Sequence, residues 1–365
     1  EESQAQSSNQ GDFLMVFHDR MSADGLETIS GQSSAPISRV RDVVVISPTT
    51  SSGDEALDLL LVPGFDRQTM QQTPAPEVEL GHDITITRLE QTEADRVMNA
   101  CTPRGHNFYP YRQFGQGYTL SCEIDPDSLG SHHYAWDPAN KLRDVLAMTR
   151  LIVDAAYSTE YAARIIDHSD GHQQIVWVPE AAGKYVYRAS NDRDWLTYQE
   201  ARELKDLLAA RWGLESQLGL RLNRAMWNLE FAATLAWLDV IVPVYVITME
   251  SFASATTRGV RRQFVKRAPQ IAQRAGCSDL DESICESLYG ARSRWAHGEH
   301  IRLVPSAGSS SEGEVPSPQQ DIAREFRTLQ NATRSVVRCA IENPDFRELV
   351  STDEAVQANW PVPPP

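Results

Sequence analysis

Several common signatures are missing from this chain, and each gap narrows the reading. Its five cysteines (Cys101, Cys122, Cys277, Cys285 and Cys339) are odd in number, widely scattered and include no CxxC pair. That argues against a disulfide framework or a zinc ribbon and fits a reducing, cytoplasmic setting. No window approaches the ~18 uninterrupted apolar residues of a membrane-spanning helix; the run Leu235 to Met249 already contains Asp239 and Pro243. Glu1 to Asp12 is polar and acidic, the opposite of a secretory or mitochondrial leader. Pro179-Glu-Ala-Ala-Gly-Lys184 ends like a phosphate loop but lacks its first glycine, and Tyr185 stands where a Ser or Thr would hold magnesium. Phe114-Gly-Gln-Gly117 lacks the third glycine of a dinucleotide fingerprint, and there is no GxSxG. His168 and His172 have zinc-like spacing, but Asp167–Gly171 reads as a turn and no Glu follows the first histidine; His132-His133 has no cysteine nearby. We therefore expect no metal site and no bound cofactor.

What is present is an ordinary globular composition, 41% hydrophobic and 23% charged over 365 residues, enough for two domains. The net charge of −16 is unevenly spread. Residues 1–200 hold 15 Lys and Arg against 30 Asp and Glu, whereas residues 201–345 hold 18 against 17. Such asymmetry suggests domains with separate jobs.

Patterning divides the chain in the same place. Residues 1–10, rich in Ser, Gln and Glu, read as disordered. Residues 11–195 read as an acidic α+β domain, with β-like runs at Phe13–Phe17, Val43–Ile46, Val78–Leu89 and Tyr118–Ile124. A hairpin is expected from Ile175–Val178 and Tyr185–Tyr187. Asp137-Pro138 opens a helix through Ile152, and a second helix is expected over Ser158–Ile166. Residues 196–345 read as helical throughout, beginning at a capping box of Thr197 and Glu200. Helices follow at about 217–237, from Pro243 through Phe252, at Val260–Ala275, at Leu280–His297 behind a Ser278/Asp279 cap, and at Gln319–Glu342, the last after a Ser306–Pro318 loop. Residues 346–365 end in Trp-Pro-Val-Pro-Pro-Pro and read as an extended tail.

The segment Ser283–Gly298 holds the residues with the most chemistry. Ser293 and His297 share a helix face, while Arg292 and His297, five apart, diverge by about 140° at ~100° per residue. A histidine can pass protons to and from a ribose 2′-hydroxyl or a leaving oxygen. A guanidinium can hold the phosphate through two donors, and Ser293 can orient the imidazole or the phosphate. The same cations would equally suit the negative end of a helix without any catalysis. Between Glu250 and Asp279 there is no acidic residue, yet Arg258, Arg261, Arg262, Lys266, Arg267 and Arg274 all occur. Arg258, Arg262 and Lys266, four apart, would line one face as an RNA backbone requires, or would dock the acidic N-terminal half.

Leu288-Tyr289-x-x-Arg292-Ser293-x-x-x-His297-Gly298 resembles the signature of HEPN domains, in particular the ApeA-like group. Thr248-Met249-Glu250 resembles a turn of that family's second helix. The resemblance covers roughly residues 215–345. It implies a four- or five-helix bundle that dimerises, so that two Arg292–His297 pairs form one composite site. It further implies a metal-independent endoribonuclease, often of a toxin-like or antiviral defence system, with Arg292 binding phosphate, His297 transferring protons and Ser293 in support. Other members of the family have lost cleavage and act as interaction or nucleotide-binding modules.

Overall fold

The computed structural model describes residues 34–48, 78–88, 92, 96–97, 118–128, 136–153, 157–177, 196–214, 219–233, 238–298 and 318–362. An antiparallel sheet comes first and a helical region follows. The strands are β1 (Ile37–Pro48), β2 (Val78–Gly81), β3 (Ile84–Arg88), β4 (Tyr118–Ile124), β5 (Tyr157–His168) and β6 (Gln173–Trp177), in the order β2-β3-β4-β1-β5-β6. The helices are α1 (Trp136–Ile152), α2 (Tyr198–Trp212), α3 (Leu220–Ala233), α4 (Leu238–Ala253), α5 (Val260–Arg274), α6 (Glu282–Ala296), α7 (Pro318–Glu342), α8 (Pro344–Ser351) and α9 (Asp353–Asn359).

Two assignments need correction. The single run Val78–Leu89 is a hairpin, because His82 and Asp83 take φ values of 52° and 64° and turn the chain between β2 and β3. A two-residue turn of that hand matches the twist of the strands it joins. The helix expected over Ser158–Ile166 is strand β5, paired with both β1 and β6. Ala162 and Ala163 favour a helix locally, but burial of Ala162, Ala163 and Ile165 inside a sheet overrides that preference. β6 pairs with β5 around the turn after His168. Tyr185–Tyr187, its expected partner, lies outside the described residues, as do Phe13–Phe17, residues 1–10, His132-His133, Phe114–Gly117 and Pro179–Lys184.

At the centre of the sheet Asp42 on β1 is fully buried and faces Arg164 on β5. The guanidinium grips the carboxylate with two bonds, Nε–Oδ1 at 2.7 Å and Nη2–Oδ2 at 2.9 Å. Removing one partner of such a pair leaves a charge without compensation. We expect Asp42→Ala to cost about 3–5 kcal/mol, read as a lowered denaturant midpoint. A loss within the roughly 0.5 kcal/mol of an ordinary surface change would contradict this.

Helices α1 and α2 cover the sheet, against β4, β1 and β2, and also touch α7, so sheet and bundle share one continuous core. The Thr197–Glu200 capping box is present, and Leu204, Leu207 and Leu208 are fully buried. Helix α6 begins two residues later than expected: Asp281, not Ser278 or Asp279, is the cap, accepting from the Ile284 N–H at 2.8 Å. Within the expected tail, residues 346–360 are not extended. Asn343 and Thr352 cap α8 and α9, and Phe346, Val350, Val356 and Trp360 insert into the core. These apolar residues are enough to fold the segment back, and only its proline-rich end had suggested otherwise. Among the described residues no helix is long and apolar enough to cross a membrane.

Candidate functional site

Helices α5 and α6 run antiparallel, held by the ion pairs Arg261–Glu286 and Lys266–Glu282. Cys285, Leu288 and Ala291 bury the inner face of α6. Burial pushes the Cys285 thiol up to about 12, which keeps it protonated and unreactive. The helix closes at His297, whose N–H returns to the Ser293 and Arg294 carbonyls, and Gly298 then takes a left-handed φ of 81°. Position 297 thus caps the helix, and its side chain is exposed.

Arg292 turns the other way. Its Nη2 lies 3.6 Å from Glu250 Oε2 on α4, and its Nη1 donates to the Tyr289 hydroxyl at 3.4 Å. The guanidinium carbon sits 5.3 Å from the Tyr289 ring centre, and that ring packs on Phe264 of α5 at 5.7 Å. Arg292 is therefore seated on a shelf built from three helices, while 30% of its side chain remains open to solvent. Ser293 is half-buried beside it. Among the described residues no hydrogen bond or ion pair joins Arg292 to His297, in keeping with their separation around the helix.

Glu250 is the residue the sequence reading undervalued. It is only 8% exposed, and among the described residues its Oε1 has no hydrogen-bond partner. Burial pushes its carboxyl up, against the opposing pull of Arg292 and the Tyr289 hydroxyl. Burial and the Glu250 charge in turn push the Tyr289 phenol up. The sequence held a signal for this: Glu250 stands in a helix of largely apolar residues, and a carboxylate placed there needs a partner.

The direction of that shift fixes a pH dependence. A carboxyl raised in the folded state weakens the fold once it ionises, and the penalty vanishes where folded and unfolded chains are both protonated, below about pH 4.3. We expect Glu250→Gln to raise the melting temperature at pH 8 and the gain to fade towards pH 4. A lower melting temperature than wild type at pH 8 would mean that the Arg292 attraction outweighs burial.

The basic run is redistributed. Arg267 is 1% exposed and serves the interior, donating to the Trp360 and Ala253 carbonyls at 2.7 and 3.0 Å and to Gln263 Oε1 at 2.7 Å. Among the described residues Arg261 and Lys266 are paired with α6 carboxylates. Arg258 precedes the helix, which starts after Gly259, so it is not in register with Arg262 and Lys266 on one helical face. Arg258, Arg262, Arg274 and Arg294 remain exposed. A cavity of about 300 Å³ between α3, α4, α7 and α8, lined by Arg221, Phe252, Arg347 and Val350 among others, includes none of the site residues. His168, 9% exposed, bonds through Nδ1 to the Ala35 carbonyl at 3.0 Å, and its ring lies 5.6 Å from that of His172. Among the described residues no three His, Cys, Asp or Glu side chains gather as metal ligands. No protein-family model, curated protein or solved structure matches the chain.

Proposed function

We propose that this chain is a HEPN-type endoribonuclease that cuts RNA without a metal, in a defence or toxin-like role, at a site completed by a second copy. The observation that carries the reading is the presentation of two groups on one helix. Arg292 is part-exposed on a fixed shelf, and His297 is exposed one turn further on. In one chain they diverge; two helix ends meeting in a homodimer would bring an Arg292 beside an opposite His297. In such a site His297 takes the proton of a ribose 2′-hydroxyl. The 2′-oxygen attacks phosphorus, the bond to the 5′-oxygen breaks, and that oxygen leaves with a proton as a hydroxyl. Arg292 holds the phosphate and offsets charge that builds on it. Ser293 supports the pair.

One observation favours a second reading, in which the bundle only binds or dimerises: Glu250 lies against Arg292 and would compete with a phosphate for it. Incubating the full chain with end-labelled RNA in EDTA separates the two. Cleavage that rises with protein concentration through the dimerisation range supports the nuclease. Intact RNA in EDTA, or cleavage only on adding metal, removes it.

A further inference from the structure

Tyr289, Arg292 and Trp295 are spaced three apart on α6 and so form one stripe along it. Its last member is a large aromatic, 38% exposed, at the helix end where Arg292 and His297 sit. Exposed Arg294 adjoins it in sequence. The pairs Arg261–Glu286 and Lys266–Glu282 mark the register of α5 against α6 and set the start of α5 near Tyr289. Among the described residues, Arg258 and Arg262 around the start of α5 and Arg294 beside Trp295 are exposed cations with no carboxylate partner, and Trp295 adds a flat apolar ring. That combination suits a nucleic-acid strand with unstacked bases: cations follow the phosphates, and the aromatic takes a base of any identity on its face.

We infer that Trp295 is a base-stacking residue that seats the nucleotide beside the scissile phosphate, with Arg258 and Arg262 carrying the adjoining backbone. The inference rests on the nuclease reading for the identity of that phosphate, but the stacking surface can be tested apart from catalysis. Binding is measured by fluorescence anisotropy in EDTA, with His297→Ala present to prevent turnover. The probes are a labelled oligouridylate 12-mer and an abasic ribose-phosphate 12-mer of equal charge. The chain should prefer the base-bearing strand by about 5-fold or more. Trp295→Ala should abolish that preference, Trp295→Phe should retain most of it, and Arg258→Ala with Arg262→Ala should weaken both probes alike. A preference that survives Trp295→Ala overturns the inference, as does a Trp295→Ala chain that loses the abasic strand equally, or a parent chain that binds neither probe. Cleavage is scored separately on the chain with His297 intact. RNA left uncut beside a Trp295-dependent preference removes the nuclease reading and keeps the stacking surface. Cleavage beside a preference indifferent to Trp295 does the reverse.

Discussion

Replacing His297 with alanine is expected to lower RNA cleavage by about 10²–10⁴-fold, the usual contribution of a positioned general acid or base. The side chain is exposed beyond the last helical turn, and only its backbone N–H is used by the cap. The fold should therefore keep its melting temperature. Arg292→Ala should also stop cleavage but with a different signature, because it removes the group that seats the phosphate and disturbs Tyr289 and Glu250 as well. An equimolar mixture of the two variants, allowed to exchange chains, should regain part of the activity. A mixed dimer keeps one Arg292 and one His297 in different chains. Unchanged cleavage in either variant, or a mixture no better than its components, counts against a site shared between copies.

Arg267→Ala is expected to be the most damaging single change to stability, about 4 kcal/mol or more. The guanidinium is buried and binds two carbonyls and the side chains of Gln263 and Gln357. Each buried acceptor orphaned by its loss costs about 1–3 kcal/mol, and the missing stem leaves a cavity besides. Arg267 also works beside Arg221, which donates to the Ser251, Phe252 and Ser254 carbonyls and pairs with Asp353. Burial, with Arg221 second, pulls the Arg267 pKa down. Together the two arginines satisfy the carbonyl end of α4 and hold α9 against it. Loss of Arg267 should therefore open residues 353–360 first, visible as faster amide exchange there than in α6. Arg267→Met fills much of the same volume without the donors, so it should recover less than half of the loss. Recovery to wild-type stability would show that packing, not hydrogen bonding, is what the arginine supplies.

Local chemistry determined much of this protein from the sequence alone. The Thr197–Glu200 box, the period of Leu204, Leu207 and Leu208, the alternating strand Tyr118–Ile124 and the Gly298 stop are all near-neighbour effects, and each stands where it was expected. The placement of Arg292 and His297 on one helix end was legible for the same reason. Tertiary structure decided the rest, because charge and propensity do not reveal which partner lies across the fold. Ser158–Ile166 became a strand once β1 and β6 flanked it and Asp42 claimed Arg164. Of the six cations after Glu250, one went to the core, two to α6 carboxylates and three to solvent. Glu250 itself gained significance only when α4 met α6, since burial and the approach of Arg292 are properties of that contact and of neither helix separately.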